Sequence, residues 1–267
     1  MTSPEIGTQS RPDTLEAHRR AIERVVLHMR SHLSDPLDLE QLARIAFISK
    51  FHFLRVFEGV TGTTPHNFLT CLRIQRAKEL LLNSEASVTE ICMEVGYSSL
   101  GSFSTTFAAS VGVCPKEFRA LPTQPDALEF APAVQRFLAA HRAIAGPELE
   151  GVVEAPAQPR GFIFVGTFSR GVPQGPPDSG TVLLSPGVFR IRRPAFPEFH
   201  LLAVLLPFSA KVIERVASLP VTLVARLLLR SERPEVLPRP RLRLRPMALT
   251  DPPIVTTLPA LLGSPSP

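Results

Sequence analysis

The chain has 267 residues, about 44% of them hydrophobic, which is enough for two packed domains and too many for a disordered chain. Its net charge of +5 arises wholly in the second half: residues 1–121 carry 13 basic and 13 acidic side chains, whereas residues 122–267 carry 16 and 11. Basicity therefore lends nothing to nucleic-acid binding by the first half, and any such role must rest on pattern.

In chain order, the first seventeen residues read as a flexible tail with no apolar core of the kind an export signal needs. The longest apolar runs, such as FHLLAVLLPF, reach about ten residues, half of a bilayer span. A cytoplasmic protein with no membrane partner is expected. Cys71, Cys92 and Cys114 form no C-x-x-C pair and lie in apolar helical contexts, so they read as reduced core thiols.

From DPLDLEQLARIAFI onward the spacing is helical, with Asp38 placed as an N-cap and Leu39, Leu42, Ala43 and Ala46 on one face. Ser49 is placed to cap a second helix whose Phe53, Val56, Phe57 and Val60 converge. Gly62 ends it, and Pro65 opens a long helix, PHNFLTCLRIQRAKELLLNS. The same sequence of events then recurs. SVTEICMEVG is followed by a turn, a helix over Ser99–Ser110, Gly112, and Pro115 opening PKEFRA. Six positions agree in register about fifty residues apart: Ser49 with Ser99, Phe53 with Phe103, Phe57 with Phe107, Gly62 with Gly112, Pro65 with Pro115, and Phe68 with Phe118.

Two short helices joined by a tight turn, with one face of the second left outside the core, make a helix-turn-helix unit. The connecting helix, about eighteen residues at 1.5 Å each, is a strut of roughly 27 Å. It could set two such units about one DNA turn, ~34 Å, apart.

Residues 18–121 resemble the DNA-binding domain of the AraC/XylS family of transcriptional regulators. The resemblance lies in S-x-x-x-F-x-R-x-F of the first unit, RIQRAKELL of the strut, VTEICMEVGYSS, and the closing G-x-x-P-x-x-F-R. It implies a seven-helix, bihelical, double helix-turn-helix fold that binds double-stranded DNA in two adjacent major grooves as activator or repressor, with RNA polymerase as a further partner. The sequence departs from that family where basic residues usually follow each recognition motif: Glu58 and Gly59 follow Phe57, and Ala108 and Ala109 follow Phe107. Fewer phosphate contacts mean weaker binding.

The DNA-contacting candidates are Lys50, Phe51, His52, Leu54 and Arg55 in the first unit, Arg73 on the strut, and Ser99, Gly101, Ser102, Ser104 and Thr105 in the second. Arg55 suits a forked contact to guanine, with a salt bridge to Glu58 as the alternative. Phe51 suits a thymine methyl, or else packing on a neighbouring helix. The hydroxyls of the second unit discriminate little, so the first unit is expected to specify and the second to position.

Beyond the proline-rich boundary LPTQPDA, residues 122–146 read as a linker with a helix, in which Val134, Phe137 and Leu138 share a face that packs on the first domain or bridges to the next. Residues 147–267 read as β-rich: GFIFVGTFSR, GTVLLSPGVFRIRRP, EFHLLAVLLPF, VTLVARLLLRS, PRLRLRP and PPIVTTLPALL suggest strands of a small sandwich-like domain. LLSPGVFRIRRPAFPEFHLLAV resembles the paired strands of transthyretin-like, carboxypeptidase-regulatory-type sandwiches. Arg239, Arg241, Arg243 and Arg245 alternate with Pro or Leu and would share one face of a strand, either for anion contact or as a solvated edge.

The expected function is thus a DNA-binding regulator whose C-terminal domain binds a small-molecule or protein effector. The alternatives are a drug-binding α+β module in that place, or an enzyme with a helical accessory domain. No catalytic constellation, cofactor loop or metal-ligand spacing is found in the sequence.

Overall fold

The computed structural model describes residues 12–121, 130–156, 160–207, 223–230 and 239–257. The first half consists of α1 (Pro12–Ser31), α2 (Leu39–Ala46), α3 (Lys50–Thr61), α4 (Pro65–Asn83), α5 (Val88–Glu94), α6 (Leu100–Val111) and α7 (Pro115–Ala120). Each boundary has a local cause. The Asp38 carboxylate accepts from the Gln41 amide at 2.7 Å while the Gln41 side chain accepts from the Asp38 amide, so two orphan donors at the start of α2 are satisfied. Ser87 and Glu90 repeat the device before α5. Gly62 and Gly112 end α3 and α6 with φ of 73° and 95°, a left-handed turn that a side chain would strain.

Three expectations change in detail. Helix α1 begins at Pro12, so residues 12–17 are helical rather than tail: proline suits a first turn, and Ile22, Val25, Val26 and Met29 bury the face that follows. The Ser49 hydroxyl makes no capping bond, although its counterpart Ser99 accepts from the Ser102 amide at 3.4 Å. Cys71 and Cys92 are buried thiols, but Cys114 is only half-buried because it stands at the N-cap of α7. Residues 1–11 and the boundary after Leu121 lie outside the described residues.

The repeat is a repeat of cores. Phe53, Phe57 and Phe68 meet edge to face in one cluster with α1 and α2, at centroid separations of 5.5 and 5.6 Å. Phe103, Phe107 and Phe118 meet in a second cluster, the first pair tilted at 5.7 Å and the second edge to face at 5.6 Å. Helix α4 serves both: Phe68, Leu69 and Leu72 belong to the first cluster, and Cys71, Ile74, Ala77 and Leu81 to the second.

The second half opens with α8 (Phe130–Arg142) and continues with β1 (Glu148–Glu154), β2 (Gly161–Phe168), β3 (Ser179–Leu183), β4 (Gly187–Arg192), β5 (Glu198–Pro207), β6 (Leu223–Arg230), β7 (Arg241–Arg243) and β8 (Arg245–Pro246). They form a three-stranded sheet, β4-β1-β7, and a five-stranded sheet, β3-β2-β5-β6-β8. Strand β5 shows why both faces of the larger sheet are covered. Leu201, Ala203 and Leu205 point into a cluster shared with Leu149, Phe189 and Leu242 of the smaller sheet, whereas Leu202, Val204 and Leu206 point into one shared with Phe137 of α8. Helix α8 is therefore a third layer on the sheet. Phe137 lies 5.8 Å from the Phe164 ring.

Sequence patterning missed β1, whose charged alternation ELEGVVE hid a half-buried strand, and it read PPIVTT as a strand where Pro252–Thr257 are buried without strand pairing. Nor do β3 and β4 pair with each other. The Pro186–Gly187 turn passes from one sheet to the other, because β3 pairs with β2 and β4 with β1. The four alternating arginines are all matched by carboxylates: Arg239 to Glu150 at 3.1 Å, Arg241 and Arg243 to Glu154 at 3.0 Å each, and Arg245 to Asp251 at 2.6 Å. The alternation does hold, since Leu242 and Leu244 between them are buried.

Residues 249–257 join the two halves. Leu249 packs on the first helical cluster, while Val255 enters the second together with Val172. The Thr257 amide and hydroxyl both donate to the Val111 carbonyl, at 3.0 and 2.9 Å. Lys78, on α4, buries its amine under this segment and donates to the Val255 carbonyl at 2.9 Å. Burial pushes the Lys78 amine down to about 7 from an ordinary 10.5.

In the unfolded chain that amine holds its proton up to about pH 10.5. Between pH 7 and 9 the unfolded state thus binds more protons, and stability rises with pH. Above about pH 9 the Cys71 thiol, pushed up to about 12 by burial, opposes the trend. The thermal midpoint should therefore climb from pH 7 to 9, and Lys78→Met should abolish the climb; an equal slope in the variant would contradict the assignment.

Candidate nucleic-acid interface

The outward faces of α3 and α6 are the surfaces the two cores leave over. On α3, Phe53, Val56 and Phe57 are buried, so Lys50, Phe51 and Arg55 are exposed and His52 and Leu54 lie half-buried at the flanks. On α6, burial of Phe103, Phe107 and Ser110 exposes Gly101, Ser102 and Thr105, with Ser104 half-buried. Ser99 is exposed and its hydroxyl is occupied in capping α6.

Phe51 is 82% exposed, so it does not pack on a neighbouring helix. Arg55 turns towards the His52 ring, 3.4 Å from Nδ1, and no ion pair with Glu58 is found among the described residues. His52 in turn meets His18 of α1, ring centroids 5.2 Å apart. Lys50 lies 3.7 Å from Glu40, a surface contact of small energy that another anion can replace. Glu58, Gly59 and Ala109 are exposed and Ala108 is half-buried, so the rims after the two recognition motifs carry no cation.

Arg73 is a correction. Expected among the DNA contacts, its guanidinium is engaged inside the fold: Nε donates to the Leu33 carbonyl at 2.9 Å, Nη2 to the Asp35 carbonyl at 3.0 Å, and the group lies over the Tyr97 ring at 5.8 Å. Half-buried, it has its pKa lowered by desolvation, against a smaller raising effect of Tyr97. It ties the strut to the loop between α1 and α2.

Two features of this surface had no signal in the sequence. Phe47, closing α2, takes a left-handed φ of 59° and is 81% exposed beneath the Arg24 guanidinium at 5.5 Å. A phenylalanine at a helix end ordinarily reads as core. The other is the wall formed beside the first unit by the sheet domain, where Gly171 follows β2: a Cβ there would collide with the Gly62 carbonyl.

Residues 42–121 match the protein family described as Helix-turn-helix domain. The chain is 38% identical over 92 residues to the MmsAB operon regulatory protein of Pseudomonas aeruginosa, covering 34% of this chain and 30% of that one. It is 34% identical over 117 residues to the RCS-specific HTH-type transcriptional activator RclR of Escherichia coli, covering 43% and 40%. The chain thus spans less than half the length of these curated relatives. Among solved structures, an AraC-type transcriptional regulator from Chromobacterium violaceum is similar at 28% identity over 41% of this chain and 98% of that one, with a TM-score of 0.39. The DNA-binding domain of AdpA in complex with a target DNA is similar at 29% identity over 40% and 98%, with a TM-score of 0.38.

Arg73→Ala should remove the hydrogen bonds to the Leu33 and Asp35 carbonyls and lower stability by about 1–3 kcal/mol, measured by urea unfolding. An unchanged midpoint would return Arg73 to the candidate contacts.

Proposed function

We propose that this chain, whose residues 42–121 form a helix-turn-helix domain of the AraC type, is a sequence-specific transcriptional regulator that places α3 and α6 in two successive major grooves of double-stranded DNA. The observation that carries this reading is the doubled unit itself. Two clusters of three phenylalanines each hold one helix by its inner face, and each leaves the outer face exposed, with Lys50, Phe51 and Arg55 on α3 and Gly101, Ser102 and Thr105 on α6. Helix α4, 19 residues or roughly 28 Å, joins them as one rigid piece.

Within this reading Arg55 is the specifying residue, since a forked arginine contact discriminates against the wrong base by roughly 1–3 kcal/mol. Lys50, Phe51, His52 and Leu54 support it. Ser99, Gly101, Ser102, Ser104 and Thr105 position the second unit through hydroxyl and backbone contacts. The same reading divides the chain into a DNA-binding half up to residue 121, a helix-bearing linker over 122–146, and a β-rich effector or partner domain over 147–267. RclR, by its name, is an activator; activation through RNA polymerase would follow for this chain by the same reasoning.

Selection of bound duplexes from a random pool, with the full chain at fixed salt, is the test. A site spanning two adjacent major grooves is expected, and no enrichment would sink the reading. Ala77→Pro, which breaks α4 at a cost of about 3 kcal/mol or more, should leave at most one groove protected in a footprint. On the selected site Arg55→Ala should flatten preference at one base position, whereas Thr105→Ala should weaken all sequences slightly. Equal loss on specific and random DNA in Arg55→Ala would make it a phosphate contact instead.

A further inference from the structure

A groove of about 830 Å³ separates the end of the first helix-turn-helix unit from the five-stranded sheet, a volume that suits a small organic molecule. One wall is the α3–α4 turn, from Glu58 to Thr64; the other is the loop after β2 with the paired strands β5 and β6. Opposed residues on those strands put Glu198 with Arg230, His200 with Leu228, and Leu202 with Arg226, and the two-residue repeat turns all six to the groove.

Resting on the regulator reading above, we propose that this groove binds a small oxyanion, a carboxylate or phosphate monoester, through the guanidinium of Arg226. Arg226 donates to two carbonyl oxygens, of Pro252 at 2.8 Å and of Gly171 at 3.4 Å, and its buried Nε has no hydrogen-bond partner among the described residues. The carboxylates around it are already engaged. Asp251 accepts two bonds from Arg245, at 2.6 and 2.9 Å, and one from the Ala248 amide, while Glu198 pairs with Arg230 at 2.6 Å. Nearby Asp251 offsets the Arg226 charge only in part, because Arg245 and the Ala248 amide already hold that carboxylate, and an oxyanion supplies a further acceptor and further negative charge.

The surroundings favour the same class of ligand. Desolvation lowers the His200 pKa, and the nearby Arg226 and Arg230 lower it further against the pull of Glu198. Arg55 and Arg170 add cations at the groove and Glu58 an anion. At its floor Gly171 approaches Gly62 so closely that no side chain fits between them. Because Arg55 and the turn that ends α3 form part of the wall, an occupant touches the recognition helix directly. Ligand and DNA are thereby coupled.

The test titrates the full chain with inorganic phosphate and, separately, with succinate, each against sodium chloride of equal ionic strength, following the thermal midpoint and the heat of binding. Saturable binding of at least one probe is expected, about tenfold or more weaker in Arg226→Met and unchanged in Arg190→Ala on β4. The probe that saturates identifies the class. If neither saturates beyond chloride, or if Arg226→Met binds as the wild type does, the proposal is overturned. Should Arg226→Met fail to fold, Arg170→Ala decides in its place: a loss of about two- to fivefold is expected, and unchanged affinity overturns the proposal. DNA affinity measured on the same proteins in chloride separates the two readings, since intact DNA binding without anion binding rejects only the site.

Discussion

Helix α4 has to bury two faces at once, and most of the architecture follows from that requirement. Its Phe68, Leu69 and Leu72 complete one core while Cys71, Ile74, Ala77 and Leu81 complete the other, so neither unit can shift along the helix without opening a cavity in a phenylalanine cluster. The placement of α3 and α6 is consequently set by side-chain packing rather than by a linker. A helix apolar on both sides needs covering on both sides, and the residual gap is closed by residues 249–257, far away in the chain.

The helical half was legible because its signals are local. Capping residues, glycine stops, prolines at first turns and a phenylalanine spacing repeated twice each act within a few residues, and apart from the Ser49 hydroxyl they appear in the structure with their expected neighbours. What escaped was set at long range. Nothing near Lys78 indicates that a carbonyl 177 residues later will receive its amine. Nothing in RIQRAKELL distinguishes Arg73, which turns inward to Leu33 and Asp35, from Arg76, which meets Glu79 and Glu94 on the surface. In the sheet domain the two-residue alternation located several strands, though not β1, and not their partners: a proline–glycine turn specifies a reversal, not whether the next strand returns to the same sheet.

Charge in the second half follows a similar rule. The arginines of β7 and its flanks looked like a basic stripe, yet each has a carboxylate partner: Glu150 for Arg239, Glu154 for both Arg241 and Arg243, and Asp251 for Arg245. Their work is to finish sheet edges, where a row of charged side chains discourages pairing with other chains. Arg226 is held differently, between two backbone carbonyls at the boundary with the helical half, with Asp251 nearby.

The contact of Thr257 with Val111 also bears on how the chain is assembled during translation. Synthesis proceeds from the N-terminus and domains fold as they emerge, so both phenylalanine clusters can close well over a hundred residues before Val255 leaves the ribosome. Until then the Val111 carbonyl and the Lys78 amine lack the partners that Thr257 and Val255 supply. Synthesis of residues 249–257 is thus a structural event for a helix made much earlier, since the Val255 carbonyl receives the Lys78 amine.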